Sequence, residues 1–232
     1  MRNMKILVAM GLLTAAHVAS AEVSGSIGLV SDYDYRGWSQ TDNGPAIQGS
    51  IDYAHDSGWY IGTWATNIDH FSDGGSRTAT TEIDVYTGFS GETESGLGWD
   101  AGLLYYMYPN ASDLNFAEIY ASLSYSIATV GVAYSDAFGH KDNDSAFYVY
   151  GDVSVPVGPV SLDFHAGHST GDGIQDAYGF ASKDSYQDYS IGLSYTANNV
   201  TLGLKWVALD AGSEASDDRF LVSISTSLPW GE

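Results

Sequence analysis

Nine carboxylates, Asp32, Asp34, Asp52, Glu82, Asp84, Asp100, Glu118, Asp152 and Asp163, fall within or beside segments that are apolar at every second position. Two cations, Arg36 and Lys205, and one histidine, His165, share that polar side of the pattern. Carboxylates converging on one space attract cations, and rings of Asp and Glu are the usual device of cation-passing pores. The same residues also have a purely structural use, in which each carboxylate accepts hydrogen bonds from Tyr and Ser and stiffens a closed wall. A cation placed among them pairs with a carboxylate. It either compensates charge or sets up a transverse field that orients a dipolar or zwitterionic solute.

Other chemistries find less support. Some barrels hydrolyse lipids with a Ser–His pair on the outer wall, and His168 falls on the apolar side near one rim. Gly88-Phe89-Ser90-Gly91 is not a G-x-S-x-G nucleophile motif, however, and no catalytic residue is assigned. Asp142-Asn143-Asp144 and Glu214–Asp218 are acidic runs without EF-hand spacing or a His/Cys ligand set, so no dedicated metal site and no cofactor are expected. Exchangeable divalent ions between such loops and lipopolysaccharide phosphates remain compatible with them.

The elements that must position these residues follow from a rhythm of connectors. Twelve segments of about 8–12 residues carry period-2 patterning. Between them, Asp32–Gly44, Asn67–Thr80, Pro109–Asn115, Asp136–Ser145, Ser169–Gln187 and Asp210–Asp218 are long and polar. His55–Gly58, Gly91–Gly98, Ser126–Thr129, Pro156–Pro159 and Ala197–Asn199 are mostly tight. Six long alternating with five short is the count for twelve up-and-down strands with both termini on the short-turn side. Transmembrane β-barrels are built this way, with short periplasmic turns and longer outer loops. The fold class expected is therefore all-β, an antiparallel up-and-down transmembrane barrel of about twelve strands.

Residues 1–21 read as a cleaved signal peptide: Arg2 and Lys5, then an apolar stretch from Ile6 to Val18, then Ala19-Ser20-Ala21. Residues 22–232 are one barrel domain. Without the leader, six basic residues face 29 acidic ones, a net charge of −23 with His neutral. Nucleic acid, which needs cationic groups against its phosphates, is excluded as a partner. With no cysteine, stability must come from burial and hydrogen bonding.

The alternation gives each strand two faces. Ile47, Ile51 and Tyr53 oppose Gln48, Ser50 and Asp52; Ile83, Val85 and Phe89 oppose Glu82, Asp84 and Tyr86; Leu202, Leu204 and Trp206 oppose Thr201 and Lys205. In a membrane barrel the apolar face looks outward and the polar face lines the lumen. The segment Trp59–Asn67 is ambiguous, with aromatics on both faces. Tyr53, Trp59, Phe89, Trp99, Tyr125, Tyr195 and Trp230 are expected in a periplasmic aromatic girdle. Tyr33, Tyr35, Tyr105, Tyr134, Phe147, Tyr189 and Phe220 are expected in an outer one.

One string is specific: Ser31-Asp32-Tyr33-Asp34-Tyr35-Arg36-Gly37-Trp38-Ser39-Gln40-Thr41, followed by Pro45-Ala46-Ile47-Gln48-Gly49-Ser50-Ile51-Asp52-Tyr53. With Glu82-Ile83-Asp84, Tyr105-Tyr106 and Glu118-Ile119-Tyr120, it resembles the TorF-type porins, a proteobacterial outer-membrane family without an established substrate. The resemblance implies an outer-membrane porin and supplies no catalytic residues. The expected function is passive diffusion of small hydrophilic solutes with a cation bias through a lumen lined by the nine carboxylates, Arg36, His165 and Lys205. The alternative is a closed barrel with a structural, adhesive or lipid-modifying role. Outer-membrane lipid and lipopolysaccharide are the expected surroundings, and the sequence carries no signal of oligomeric state. Lys205, near the middle of its strand, is expected beside Asp163 or His165.

Overall fold

In the computed structural model the described residues are 22–71, 77–138 and 144–229. Twelve antiparallel strands close into one barrel. In chain order these are β1 (Glu22–Val30), β4 (Ala46–Ala54), β5 (Trp59–Phe71), β6 (Arg77–Glu92), β7 (Leu97–Met107), β8 (Phe116–Tyr125), β9 (Ala128–Ser135), β10 (Ala146–Val157), β11 (Val160–Thr170), β12 (Ser185–Ala197), β13 (Val200–Asp210) and β14 (Ser216–Pro229). Each pairs with its neighbour in sequence, and β1 closes the ring on β14 in a register that sets Ser24 opposite Pro229. Two further strands, β2 (Asp34–Tyr35) and β3 (Trp38–Ser39), form a separate small hairpin. The leader expected over residues 1–21, and Trp230, lie outside the described residues.

Tight connections gather at one end. Ser126, Gly158 and Asn198 take φ of 58°, 61° and 54°, the left-handed conformation that two-residue hairpins demand to match strand twist. The opposite connectors are longer, though several are shorter than the sequence pattern implies. Strands β5 and β6 extend to Phe71 and from Arg77, so the connector expected at Asn67–Thr80 contracts to 72–76. The one expected at Ser169–Gln187 contains helix α1 (Asp172–Tyr178).

The apolar face is the outer wall. Leu29, Ile47, Ile51, Leu103, Ile119 and Val130 are each more than half exposed, a wall suited to hydrocarbon and not to water. Strand β5 resolves the same way, with Ile61 outward and Tyr60 and Thr66 buried inside. Tyr105, Tyr134, Phe147, Tyr189 and Phe220 form an exposed band near the long-connector end, and Phe89, Trp99, Tyr125 and Tyr195 form one near the other end. Tyr33 and Tyr35 do not join the band. They follow the chain inward, where Tyr33 is buried and tilts against Trp64 at 5.3 Å. The extrapolated alternation fails because the chain leaves the wall after Val30.

The packed core lies inside the barrel at the long-connector end. Phe116, Phe138, Ile174, Phe180, Tyr186 and Leu209 bury one another there, with Trp38 and Tyr178 packed against them. Val30, Tyr33, Ala46, Ile68 and Ala79 form a second cluster beside it.

Candidate functional site

The β2–β3 hairpin is the centre of the site. Asp34 pairs with Ser39 and Tyr35 with Trp38, and the turn between them is Arg36-Gly37, at φ 48° and 88°. Two consecutive left-handed residues are the primed turn that favours Asn-Gly. An arginine in the first position costs about 1–2 kcal/mol, which persists where surrounding contacts hold the conformation.

Those contacts lie across the bore. The hairpin leaves the wall between β1 and β4, and β10 stands five strands from β1 one way round and six from β4 the other. Arg36 nonetheless lies over the Tyr148 ring of β10 at 4.2 Å. Its Nη2 donates to both Glu118 oxygens on β8 at 2.9 Å. A Cβ on Gly37 would stand 3.0 Å from Asp188 and 3.2 Å from Leu209, so the tip is wedged against the far wall.

The hairpin's other charges are also matched by the wall. Asp32 meets Arg219 Nε at 2.8 Å, and Asp34 takes Arg219 Nη2 at 3.0 Å and Lys205 Nζ at 3.1 Å. Ser39 and Thr41 hydroxyls donate to Asp32 Oδ1 at 2.6 and 2.9 Å. Above the turn, Trp38 stacks on Tyr178 of α1 at 4.4 Å and 10°. Hairpin, helix and aromatic cluster thus fill the long-connector half of the bore.

Lys205 faces the interior near the middle of β13, as its strand position implies, but its partner is Asp34 and neither Asp163 nor His165. Asp163 instead accepts from Ser154 at 2.6 Å and Ser194 at 3.0 Å. His165 lies between Asp152 and Asp188, Nδ1 at 2.7 Å and Nε2 at 2.8 Å, with the Tyr148 hydroxyl 2.9 Å from Nε2. Arg219 and Asp188 escape the sequence reading because both sit at the edges of segments assigned to connectors. Their parity gives them away: Arg219 shares the face of Leu221 and Ser223, and Asp188 that of Ser190 and Gly192.

The short-turn half is organised differently. Asp52 accepts from Ser50 at 2.9 Å and from Tyr86, and Asp100 accepts from Tyr60 at 2.6 Å. Tyr60 also bonds Tyr120. Each of these tyrosines faces a glycine across the strand pair: Tyr86 opposite Gly62, Tyr60 opposite Gly88, Tyr120 opposite Gly102 and Tyr150 opposite Gly131. A Cβ at any of the four glycines would come within 2.6 Å of the facing tyrosine side chain. The rings therefore lie flat along the wall, and Ser26, Ser122, Ser124, Ser190, Ser194 and Ser223 complete a hydroxyl lining that is not fully buried.

Higher in β6, Glu82 and Asp84 are buried on the same face. Glu82 accepts from Tyr33 at 2.9 Å, and Asp84 Oδ1 has no hydrogen-bond partner among the described residues. Of the twelve residues expected to line the lumen, Asp52, Glu82, Asp84, Asp100, Glu118, Asp152, Asp163, His165 and Lys205 are buried or half-buried on the strands. Asp32, Asp34 and Arg36, expected toward the outer mouth, reach the interior on the connector after β1. On the outer rim, Gln187 Nε2 lies 3.0 Å from His168 Nδ1. Among the described residues no group of three or more His, Cys, Asp or Glu is arranged to hold a metal ion.

A sequence profile of a bacterial family of unknown function, Gcw_chp, matches residues 14–227. The chain belongs to that family. No curated protein sequence matches it. Among solved structures, the NanC porin superposes with a TM-score of 0.56 at 14% identity, covering 89% of this chain and 100% of that one. The COG4313 outer membrane channel from Pseudomonas putida F1 superposes at 0.54 with 12% identity, covering 93% and 97%. The fold is thus one that outer-membrane porins use.

Proposed function

We propose that the chain is an outer-membrane channel for small hydrophilic solutes with a cation bias, its long connectors facing outward and residues 1–21 a leader removed on export. The observation that carries this is the charge of the inner face. The nine carboxylates of the sequence pattern and Asp188 stand against Arg36, Lys205 and Arg219 among the described residues, inside a wall that is aliphatic outside. Twelve strands lie between the eight that side chains just fill and the sixteen that leave a channel. Inward-folded connectors then set what remains of the bore. The porin folds of the structural neighbours and the TorF-type motif of the first connector support the same reading. Outer-membrane lipid, lipopolysaccharide and the permeating cations or solutes are the partners it implies, and no catalysis is part of it.

The test is planar-bilayer recording with the refolded chain under a KCl gradient. The expected reversal potential favours K⁺ over Cl⁻, and the preference weakens as salt screens the fixed charges. Anion preference would overturn the bias. Silence from correctly folded protein would favour a second reading, a closed barrel of structural or adhesive role, for which the aromatic cluster in the long-connector half speaks directly.

A further inference from the structure

The hairpin that crosses the bore presents anions to one part of the wall and a cation to another. Asp32 and Asp34 occupy Arg219 on β14 and Lys205 on β13, while Arg36 occupies Glu118 on β8 and the Tyr148 face on β10. With the hairpin seated, the side chains of Arg219 and Glu118 are 9% and 3% exposed, and Arg219 also holds Asp217 on its own strand. A buried charge stripped of its partner is strongly unfavourable, so whatever replaces the hairpin must satisfy both signs together. A simple cation answers Glu118 and leaves Lys205 and Arg219 without the hairpin's carboxylates, and a simple anion does the reverse. The hairpin itself has only two paired positions and a left-handed arginine at its tip. Its ion pairs are the contacts that a solute of like chemistry would take over, and the stacking of Trp38 on Tyr178 is the one that must break.

We propose that the wall beneath the hairpin is a binding site for a zwitterionic solute carrying a carboxylate and a guanidinium or ammonium, of the amino-acid or short-peptide class, and that the hairpin is its internal stand-in. Lys205 and Arg219 take the carboxylate. Glu118 takes the cation, backed by the Tyr148 ring, since a guanidinium over an aromatic face is attracted by its quadrupole. The proposal rests on the channel reading for its purpose, since a solute must enter the bore to reach the site.

The experiment compares three probes on the full chain folded in detergent: L-arginine, its decarboxylated analogue agmatine, and valerate. Titration calorimetry reads affinity, and the fluorescence of the parent against Trp38→Phe reads displacement of the hairpin from Tyr178. General attraction to an acidic lumen ranks the doubly charged agmatine first. The zwitterion site ranks arginine at least ten-fold tighter than either analogue, with a fluorescence change that Trp38→Phe abolishes. Lys205→Gln with Arg219→Gln should reduce arginine to the level of agmatine. Arg36→Asn, which tolerates the left-handed turn and removes the competing guanidinium, should tighten arginine several-fold. If the double variant does not fold, the ranking in the parent decides alone. Agmatine equal to or tighter than arginine overturns the site. Arginine binding without ion current in bilayers would keep the site and sink the channel, whereas current with agmatine ranked first would do the reverse.

Discussion

The two halves of the interior hold their carboxylates by different means. Toward the long connectors, Asp32, Asp34, Glu118 and Asp188 meet Arg219, Lys205, Arg36 and His165. Toward the short turns, Asp52, Asp100 and Asp163 accept from Tyr and Ser hydroxyls. A hydroxyl leaves the negative charge in place and available to a passing cation, whereas an ion pair neutralises it. The first half is packed with an element that has left the wall, and the second is lined by rings laid flat on the wall. One barrel thus carries a filled half in which four carboxylates are ion-paired, with Glu82 and Asp84 buried beside them on β6, and a second half whose carboxylates are held by hydroxyls.

The largest expected effect lies in the filled half. Glu118→Ala leaves the Arg36 guanidinium buried without its carboxylate, and breaking a buried pair from one side costs about 3–5 kcal/mol. Denaturant unfolding in detergent should show that loss, and Arg36→Ala in the same chain should recover much of it. Asp163→Asn in the second half removes a half-buried charge whose partners are hydroxyls, and should cost about 1 kcal/mol. Equal losses would mean that the two halves do not differ in how they hold charge.

A smaller effect should mark the flattened rings. Gly62→Ala puts a methyl 2.5 Å from both the Tyr86 ring and Asp52, and overpacking of this kind costs about 1–3 kcal/mol. Adding Tyr86→Ser should remove most of that cost, so a double-mutant cycle reads the joint directly. In a conducting barrel the single variant should also lower conductance, because a lifted ring narrows the bore. Additive effects in the cycle would show that the ring and the glycine are not coupled.

The sequence discloses the wall far better than what fills it. Period-2 alternation placed Gln48, Ser50, Glu82, Asp84, Glu118 and Lys205 on the inner face, because each strand repeats the signal and a slip of one residue inverts it. The hairpin was invisible to that logic. Its stretch reads as a polar connector, and its partners are as distant as Lys205 from Asp34, 171 residues along the chain. The one local trace is Arg36-Gly37 between short extended pairs, which resembles a primed turn with an ill-suited first residue. Arg219 and Asp188 were missed for a smaller reason, since carrying the parity of Leu221 and Ser190 slightly further would have placed both inside. Lys205 does lie level with Asp163 across Gly192, but its ion pair goes to Asp34 on the same hidden element, the chain crossing the bore.

The smallest effect tests whether the filled half extends into the connectors outside the barrel. Glu214, between β13 and β14, accepts the Ala181 N–H at 3.0 Å and the Ser182 hydroxyl at 2.8 Å, tying its connector to the one that carries α1. The Ala181 backbone bond, then the Ser182 hydroxyl, hold its carboxyl below the ordinary value. A lowered folded pKa means that the tie is complete above the unfolded value, about 4.3, and is lost as pH falls through the folded one. Amide exchange at Ala181, corrected for intrinsic rate, should therefore quicken below about pH 4. The core around Ile174, fully buried, should stay protected over the same range. Glu214→Gln keeps a carbonyl acceptor and removes the titration, so its exchange should lose that pH response. An unchanged response in Glu214→Gln would place the titrating group elsewhere. Simultaneous loss of protection at Ile174 would show that the connectors and the filled half open as one unit.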